Sequence, residues 1–150
     1  MTEKPSREAV SGLDPEAEKT VARQTLTRAM SLRRRGDYAR VYAQGKRVRG
    51  RLILVVAAPG LNPLSPRMGL SVGRKFNKSA VLRNQARRVL RAAFRLQKAQ
   101  LPLFDMILIP VAPGKEYRTQ EVEAELRRLC RKLERRWQED AEQAAAKERS

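Results

Sequence analysis

Apolar residues along the chain form four short runs, with helical patterns of apolar and polar positions between and around them. The runs predict four strands, at residues 46–49, 51–58, 67–72 and 105–111. The periodic patterns predict three helices, at residues 38–44, about 80–97 and from about 120 onward. The order α-β-β-β-α-β-α predicts an α+β fold, a two-layer α/β sandwich of one four-stranded sheet and a few helices.

Capping and turn residues predict where these elements begin and end. Residues of the kind that cap helices precede each predicted helix: Asp37, then Asn77 or Ser79, then Thr119. Pro110 has no backbone N–H to donate, which indicates that the end of the fourth strand lies at an edge of the sheet.

The two ends of the chain differ in composition from the part between them. Residues 1–25 are polar and mixed in charge, which is typical of a disordered tail. Residues 138–150 predict a tail or a fraying helix. The folded domain is therefore expected at residues 26–137.

The charges of the last predicted helix change sign along its length. Glutamates lie near its start, and arginines lie toward its expected end: Arg131, Arg135 and Arg136. This gradient suits the helix dipole, which favours anions at the first turn and cations at the last. Cys130, the one cysteine of the sequence, lies on an apolar stripe of this helix. We expect a buried structural thiol and a reducing, cytoplasmic compartment.

Net charge is concentrated in one part of the chain. The sequence has 33 Lys and Arg against 16 Asp and Glu, a net charge of +17, and residues 38–104 hold 15 of the basic residues and none of the acidic ones. A folded surface with this field attracts polyanions, chiefly through counterion release from phosphates. A merely solvated surface is the alternative. An anionic membrane is a weaker one, because the basic residues are spread over several elements and no apolar run approaches the roughly 18 residues of a membrane span.

The second predicted helix carries a basic row beside its buried stripe. Four arginines follow one another at intervals of four residues, without an acidic partner on the helix: Arg83, Arg87, Arg91 and Arg95. Like charges at this spacing repel one another unless a polyanion neutralises them. Three further cations precede the helix start, where free N–H groups already favour anions: Arg74, Lys75 and Lys78. The helix and this segment are therefore a candidate phosphate-binding surface.

Tyr38 and Tyr42 lie four residues apart, on one face of the first predicted helix. Aromatic faces beside cations suit single-stranded RNA, whose bases stack on them. A tyrosine pair at this spacing is as often part of a hydrophobic core, so both interpretations stay open.

The sequence has no group of residues that is typical of a catalytic site. It has no histidine, and its basic part has no carboxylate cluster that could hold two metal ions for phosphodiester hydrolysis. Asp37 and Asp105 are isolated in sequence, although folding could bring them together. If the protein serves a nuclease, we expect the chemistry to come from elsewhere.

Residues 69–95 have the sequence GLSVGRKFNKSAVLRNQARRVLRAAFR. This segment resembles the signature of the bacterial ribonuclease P protein family, in which a GLxVxKK strand is followed by a short turn, an A-V-x-R-N stretch and a basic helix. The resemblance extends over residues 30–137. It implies an α/β sandwich with a left-handed crossover connection, in the protein subunit of a ribonucleoprotein endoribonuclease.

The resemblance also implies partners and contacts. The family works with a large catalytic RNA that uses Mg²⁺ to remove the 5′ leader of precursor tRNA. Mg²⁺ is therefore expected in the RNA holoenzyme, and the sequence assigns no cofactor and no obligate protein partner to the chain itself. The RNA subunit would be bound through Arg74, Lys75, Lys78, Arg83, Asn84, Arg87, Arg88, Arg91 and Arg95. A cleft between the first helix and the sheet would hold the leader, with four candidate contacts: Tyr38, Tyr42, Arg49 and Arg51.

Two positions depart from the family's pattern. Gln85 stands where the family usually has a second arginine after Arg-Asn, and Ala92 stands where it usually has an acid. The first departure removes a cation, and the second leaves the basic row without its customary carboxylate. A structural ribosomal protein or general RNA-binding module is the main alternative. A stand-alone nuclease is disfavoured by the missing histidine and acid cluster.

Overall fold

Four strands form one mixed sheet in the computed structural model, which describes residues 30–149. The strands are β1 (Lys46–Arg49), β2 (Ile53–Pro59), β3 (Arg67–Leu70) and β4 (Phe104–Pro110). The helices are α1 (Arg35–Gln44), α2 (Ala80–Gln97), which a 3₁₀ turn (Lys98–Gln100) follows, and α3 (Thr119–Arg149). The predicted element order and the α+β class are confirmed. The predicted tail at residues 1–25 lies outside the described residues.

The strands lie in the order β1-β2-β4-β3. β2 pairs antiparallel with both β1 and β4, whereas β3 and β4 are parallel. A parallel pair needs a crossover connection, and α2 supplies it between β3 and β4. The crossover that the family resemblance implies is therefore present, and its left hand stays a prediction.

The two faces of the sheet have different surroundings. One face packs against α2 and α3 and forms the main core, to which β2 contributes Ile53, Val55 and Ala57. The other face packs against α1, with Val56 and Ala58 in the contact. We call it the α1 face. Because α1 has only 10 residues, it leaves part of this face open to solvent.

The start of α2 follows the predicted chemistry. Ser79 Oγ accepts a hydrogen bond from Leu82 N at 3.3 Å, and Asn77 Oδ1 accepts one from Ser79 N at 2.9 Å. Ser79, one of the two predicted candidates, is therefore the N-cap. Thr119 is the first residue of α3 rather than the residue before it, so its predicted capping position is wrong by one residue.

The predicted cap of α1 is wrong by a larger margin. α1 begins at Arg35, and its N-cap, Arg34, makes no side-chain capping bond. Asp37 lies inside the first turn, where its Oδ1 is 3.6 Å from Arg67 Nη2 on β3. A tertiary ion pair therefore takes the carboxylate that the sequence assigns to a local cap.

The end of β4 has a partner strand on one side only. Pro110 is paired with Ile53 of β2, while the pairing with β3 ends at Leu108. The missing N–H of Pro110 therefore leaves no gap in the ladder with β3, which agrees with the prediction of an edge position.

α3 has 31 residues and continues through the segment for which the sequence predicts a tail or a fraying helix. Arg131, Arg135 and Arg136 consequently lie in the middle of the helix. The interpretation of these arginines as dipole partners at a helix end is wrong, because that effect falls off within the last turn.

Cys130 lies on the buried side of α3, with 1% of its surface exposed. Burial raises the pKa of its thiol to about 12, and the nearby Glu134 raises it further by charge repulsion. The expectation of a buried structural thiol is confirmed.

Candidate RNA-binding surface

The outer side of α2 presents a row of arginines to solvent. Ala86, Leu90 and Ala93 anchor the opposite side of the helix in the core. Arg88, Arg91 and Arg95 are exposed. With about 100° between successive residues, the helix turns these side chains away from the sheet. We call these three arginines, together with the exposed Arg74, Lys75 and Lys78 of the preceding loop, the α2 basic surface.

Arg83 shapes the loop that precedes α2. Its Nη1 donates hydrogen bonds to the carbonyl oxygens of Asn77 and Lys78, each at 3.0 Å. Within the loop, Phe76 N donates to Gly73 O at 3.0 Å. Arg83 is half-buried, so it is a positioning residue that presents the loop cations rather than a freely exposed cation.

Arg87 has a similar role in the next turn of the helix. Its Nη2 donates to Val72 O at 2.8 Å, and its Nη1 donates to Asn84 Oδ1 at 2.7 Å. This arginine therefore ties α2 to the segment that follows β3. The predicted set thus divides in two: six exposed cations, and a smaller group that holds them in place, made of Arg83, Asn84 and Arg87.

Tyr38 docks α1 onto β3. Its hydroxyl accepts a hydrogen bond from Leu70 N at 3.2 Å. The ring covers Gly69, where an added Cβ would lie 2.5 Å from the Tyr38 hydroxyl oxygen. Tyr38 is half-buried, so part of its ring is available and part belongs to the core. The core interpretation of this tyrosine is therefore confirmed in part, and the stacking of a base on the rest of its ring stays a prediction.

Tyr42 and β1 form the open end of the α1 face. The guanidinium carbon of Arg47 lies 5.7 Å from the centre of the Tyr42 ring, a distance at which a cation is attracted to an aromatic face. Arg47 and Arg49 alternate with the buried Val48, so both are on the α1 face. Arg47 is not among the residues predicted from the sequence, although the two-residue period of a strand, counted back from Arg49, indicates it.

Arg51 lies apart from the other three candidate leader contacts. It occupies the turn between β1 and β2, where its N–H donates to Glu125 Oε1 at 3.1 Å. Its side chain is exposed beside Glu121, at the start of α3. Tyr38, Tyr42 and Arg49 therefore lie on the α1 face, whereas Arg51 lies in the turn.

Folding brings Asp37 and Asp105 together, through arginines. Asp105 is fully buried and accepts hydrogen bonds from both Arg40 and Arg67. Arg67 also faces Asp37. The bond to Asp105 raises the pKa of Arg67, and both carboxylates add to this by their charge. The two acids therefore fix α1 to the sheet and have no free charge for a metal ion. Within residues 30–149, no group of three or more His, Cys, Asp or Glu residues could hold one.

The fold and the surface together define a class of protein. The mixed sheet has one partly open face beside a tyrosine-bearing helix, and its crossover helix presents exposed arginines to solvent. These are features of a small RNA-binding protein. The family model for ribonuclease P matches residues 26–134, and the chain belongs to this family. Its role is that of a protein subunit in the 5′ processing of tRNA.

Individual relatives agree with this assignment. The ribonuclease P protein component of a Pseudanabaena species is 44% identical over 70 residues, which cover 47% of this chain and 60% of the relative. That of Staphylococcus epidermidis is 28% identical over 106 residues, which cover 71% of this chain and 91% of the relative. The solved structure of the ribonuclease P protein from Thermotoga maritima superposes with a TM-score of 0.60 at 27% identity, covering 69% of this chain and 96% of that one. No helix among the described residues is long and apolar enough to cross a membrane.

Proposed function

We propose that this chain binds the catalytic RNA subunit of ribonuclease P through the α2 basic surface. The observation that carries this proposal is the absence of acidic residues from residues 38–104, combined with the outward direction of Arg88, Arg91 and Arg95. Arginine offers a planar fork to phosphates and a face to bases. Arg83 and Arg87 contribute indirectly, because they hold the loop that carries Arg74, Lys75 and Lys78.

The 5′ leader of precursor tRNA is the second ligand in this proposal. The open part of the α1 face offers the Tyr42 ring with the guanidinium of Arg47 beside it, and Arg49 extends the positive charge along β1. An aromatic ring beside cations suits an unpaired strand, because bases stack while phosphates pair with the arginines. Tyr38 supports this cleft from the side of β3.

The cleavage itself belongs to the RNA subunit in this proposal. The paired state of Asp37 and Asp105 supports this view, because their carboxylates neutralise arginines instead of binding Mg²⁺. The protein would act by neutralising phosphates, which allows the RNA to fold and to bind Mg²⁺ at lower salt, and by holding the leader. The cytoplasm, where tRNA precursors are made in bacteria, is the proposed location.

Cleavage of precursor tRNA tests this function. The cognate RNA subunit is assayed at low Mg²⁺ with and without the chain, and we expect strong stimulation of kcat/KM for precursor tRNA. Preference for precursor over mature tRNA in a binding assay separates this role from that of a general RNA-binding protein. Absence of both effects would exclude the proposed function.

A further inference from the structure

A second group of basic residues lies in the middle of α3, outside the α2 basic surface and the α1 face. Residues 127–136 contain six Lys and Arg and one acidic residue, Glu134. The helix dipole does not account for them, because α3 continues to Arg149 and the dipole acts only within the last turn. The group therefore needs another physical reason.

Four of these six cations point away from the core. Leu126, Leu129 and Leu133 are fully buried and define the inner side of α3. With 3.6 residues per turn, these four cations, all of them exposed, fall within about 100° of arc on the opposite side of the helix. We call them the α3 basic face: Arg128, Arg131, Lys132 and Arg135.

The two remaining cations of the group are engaged in the fold. Arg127 Nη1 donates to Gln97 Oε1 on α2 at 3.3 Å. Arg136 Nη1 donates to the carbonyl oxygen of Arg47 on β1 at 3.1 Å. These contacts explain Arg127 and Arg136 as structural residues and leave the α3 basic face unexplained.

Little on the protein neutralises the α3 basic face. Arg128 lies 3.8 Å from a Glu125 carboxylate oxygen, and within the described part of the chain no ion pair includes Arg131, Lys132 or Arg135. Arg131 and Arg135 are like charges four residues apart, which destabilises a bare helix. The arrangement costs stability in the free protein, and this cost is removed when a polyanion binds.

We propose that the α3 basic face is a second RNA-binding surface, which contacts backbone phosphates of the RNA subunit while the α2 basic surface is also bound. The inference rests on the proposed function. α2 and α3 lie side by side on one face of the sheet, where Gln97 Nε2 donates to Glu123 O at 3.0 Å. Both basic surfaces therefore point outward from the same helical layer, and one large RNA can contact both.

The absence of aromatic side chains from the α3 basic face indicates phosphates rather than bases as its ligands. Trp137, the one aromatic residue of α3, points toward the sheet, where its Nε1 donates to Ala57 O at 3.2 Å. Arginine and lysine without an adjacent ring bind the sugar-phosphate backbone independently of sequence. The contact therefore adds affinity and salt dependence but no sequence preference.

The test compares three double variants in the full chain, each with two cations removed. Arg131→Gln with Arg135→Gln alters the α3 basic face, and Arg88→Gln with Arg91→Gln alters the α2 basic surface. The matched control, Lys115→Gln with Arg118→Gln, removes two exposed cations from the loop before α3. Binding to the cognate RNA subunit is measured by fluorescence anisotropy over a range of KCl, and circular dichroism verifies that each variant is folded.

The logarithm of the association constant falls as log [KCl] rises. We expect the α3 variant to make this slope less steep by about 1.5, since each lost phosphate contact contributes about 0.7 to 0.9 to its magnitude. The control should keep the wild-type slope. If the α2 variant weakens binding while the α3 variant and the control both match the wild type, the RNA-binding role of the α3 basic face is overturned and the proposed function stands. If none of the three variants changes binding, the proposed function fails as well.

One further readout separates an anionic membrane from RNA as the ligand of the α3 basic face. Phosphatidylglycerol vesicles are used in the same anisotropy format, and loss of vesicle binding without loss of RNA binding in the α3 variant would overturn the proposal in favour of a membrane contact. Equal slope changes in the α3 variant and the control would also overturn it, because the effect would then be one of net charge alone.

Discussion

The fully buried carboxylate of Asp105 accepts two hydrogen bonds from the guanidinium of Arg67, from Nε at 2.9 Å and from Nη2 at 2.6 Å. This pair lies at the start of the parallel strands β3 and β4, where the two residues are direct partners in the register. Arg40 of α1 joins the same carboxylate. One acidic residue in a basic protein therefore joins the helix to the sheet.

Removing Arg67 should destabilise the fold strongly. Arg67→Met leaves the buried charge of Asp105 with one arginine instead of two, and breaking a buried ion pair costs about 3–5 kcal/mol. Arg118→Met is the control, because its pair with Glu116 is exposed and such pairs contribute about 0–1 kcal/mol. Urea unfolding followed by circular dichroism measures both, and equal effects in the two variants would show that Asp105 does not depend on Arg67.

The turn between β1 and β2 should tolerate no side chain at Gly50. Glu125 of α3 accepts hydrogen bonds from Leu52 N at 2.8 Å and Ile53 N at 2.7 Å, and a Cβ on Gly50 would lie 2.5 Å from its carboxyl carbon. Gly50→Ala should therefore cost about 1–3 kcal/mol, because buried donors lose their acceptor.

Gly114 provides the matched control for that substitution. An added Cβ there meets nothing within 4 Å, and no glycine of the described residues has a positive φ. Gly114→Ala should be neutral or stabilise by about 0.4–1 kcal/mol through the unfolded state. Unfolding midpoints that fall equally for both variants would contradict the close contact between Gly50 and Glu125.

The thiol of Cys130 should be inert in the folded protein at neutral pH. Burial raises its pKa to about 12 from an ordinary 9.0, so alkylation by iodoacetamide should be fast only after unfolding. Because the folded pKa is the higher one, the contribution to stability is complete below about pH 9 and is lost as the pH rises toward about 12. The difference in unfolding free energy between the wild type and Cys130→Ala should shrink over that window. A difference independent of pH would contradict the buried thiol.

Two tyrosine variants should separate the two functions of the α1 face. Tyr42→Ala should cost about 1–3 kcal/mol of leader binding if a base stacks on the ring, measured as the affinity for precursor tRNA relative to mature tRNA. Tyr38→Phe removes the hydroxyl that binds the backbone of Leu70 and should cost about 1 kcal/mol of stability. If Tyr42→Ala left the precursor preference unchanged, the leader would lie elsewhere.

Local chemistry made much of the fold predictable. Ser79 before an apolar helical pattern indicates a cap, and the continuous apolar run of β2 indicates a strand with two buried faces, so the element order could be predicted from the sequence. Asp37 had the same local signature as Ser79, yet its carboxylate faces Arg67, 30 positions along the chain. A pairing over that distance leaves no periodic trace in the sequence.

The residues of the candidate site were predictable from the sequence, but which of them are exposed cations and which position the loop was not. The arginines of α2 could be named from their spacing, whereas the bonds of Arg83 and Arg87 to backbone carbonyls depend on the path of the loop. Arg51 was grouped with Arg49 because the two are close in the sequence. It lies in the turn after β1, however, and its side chain points to another side of the molecule. The arginines in the middle of α3 were assigned to the helix dipole, because the sequence predicts an earlier end for that helix than the structure has.

The proposed role of the chain in ribonuclease P is tested by cleavage of precursor tRNA with the cognate RNA subunit at low Mg²⁺. The reaction is run with no protein, with the wild-type chain, and with the variant that carries Arg88→Gln and Arg91→Gln. We predict strong stimulation by the wild type, and for the variant a stimulation that is much weaker at moderate salt and recovers as the salt concentration falls. Equal stimulation by the wild type and the variant at every salt concentration would contradict binding through the α2 basic surface, and no stimulation by either would contradict the assignment of the chain as the protein subunit.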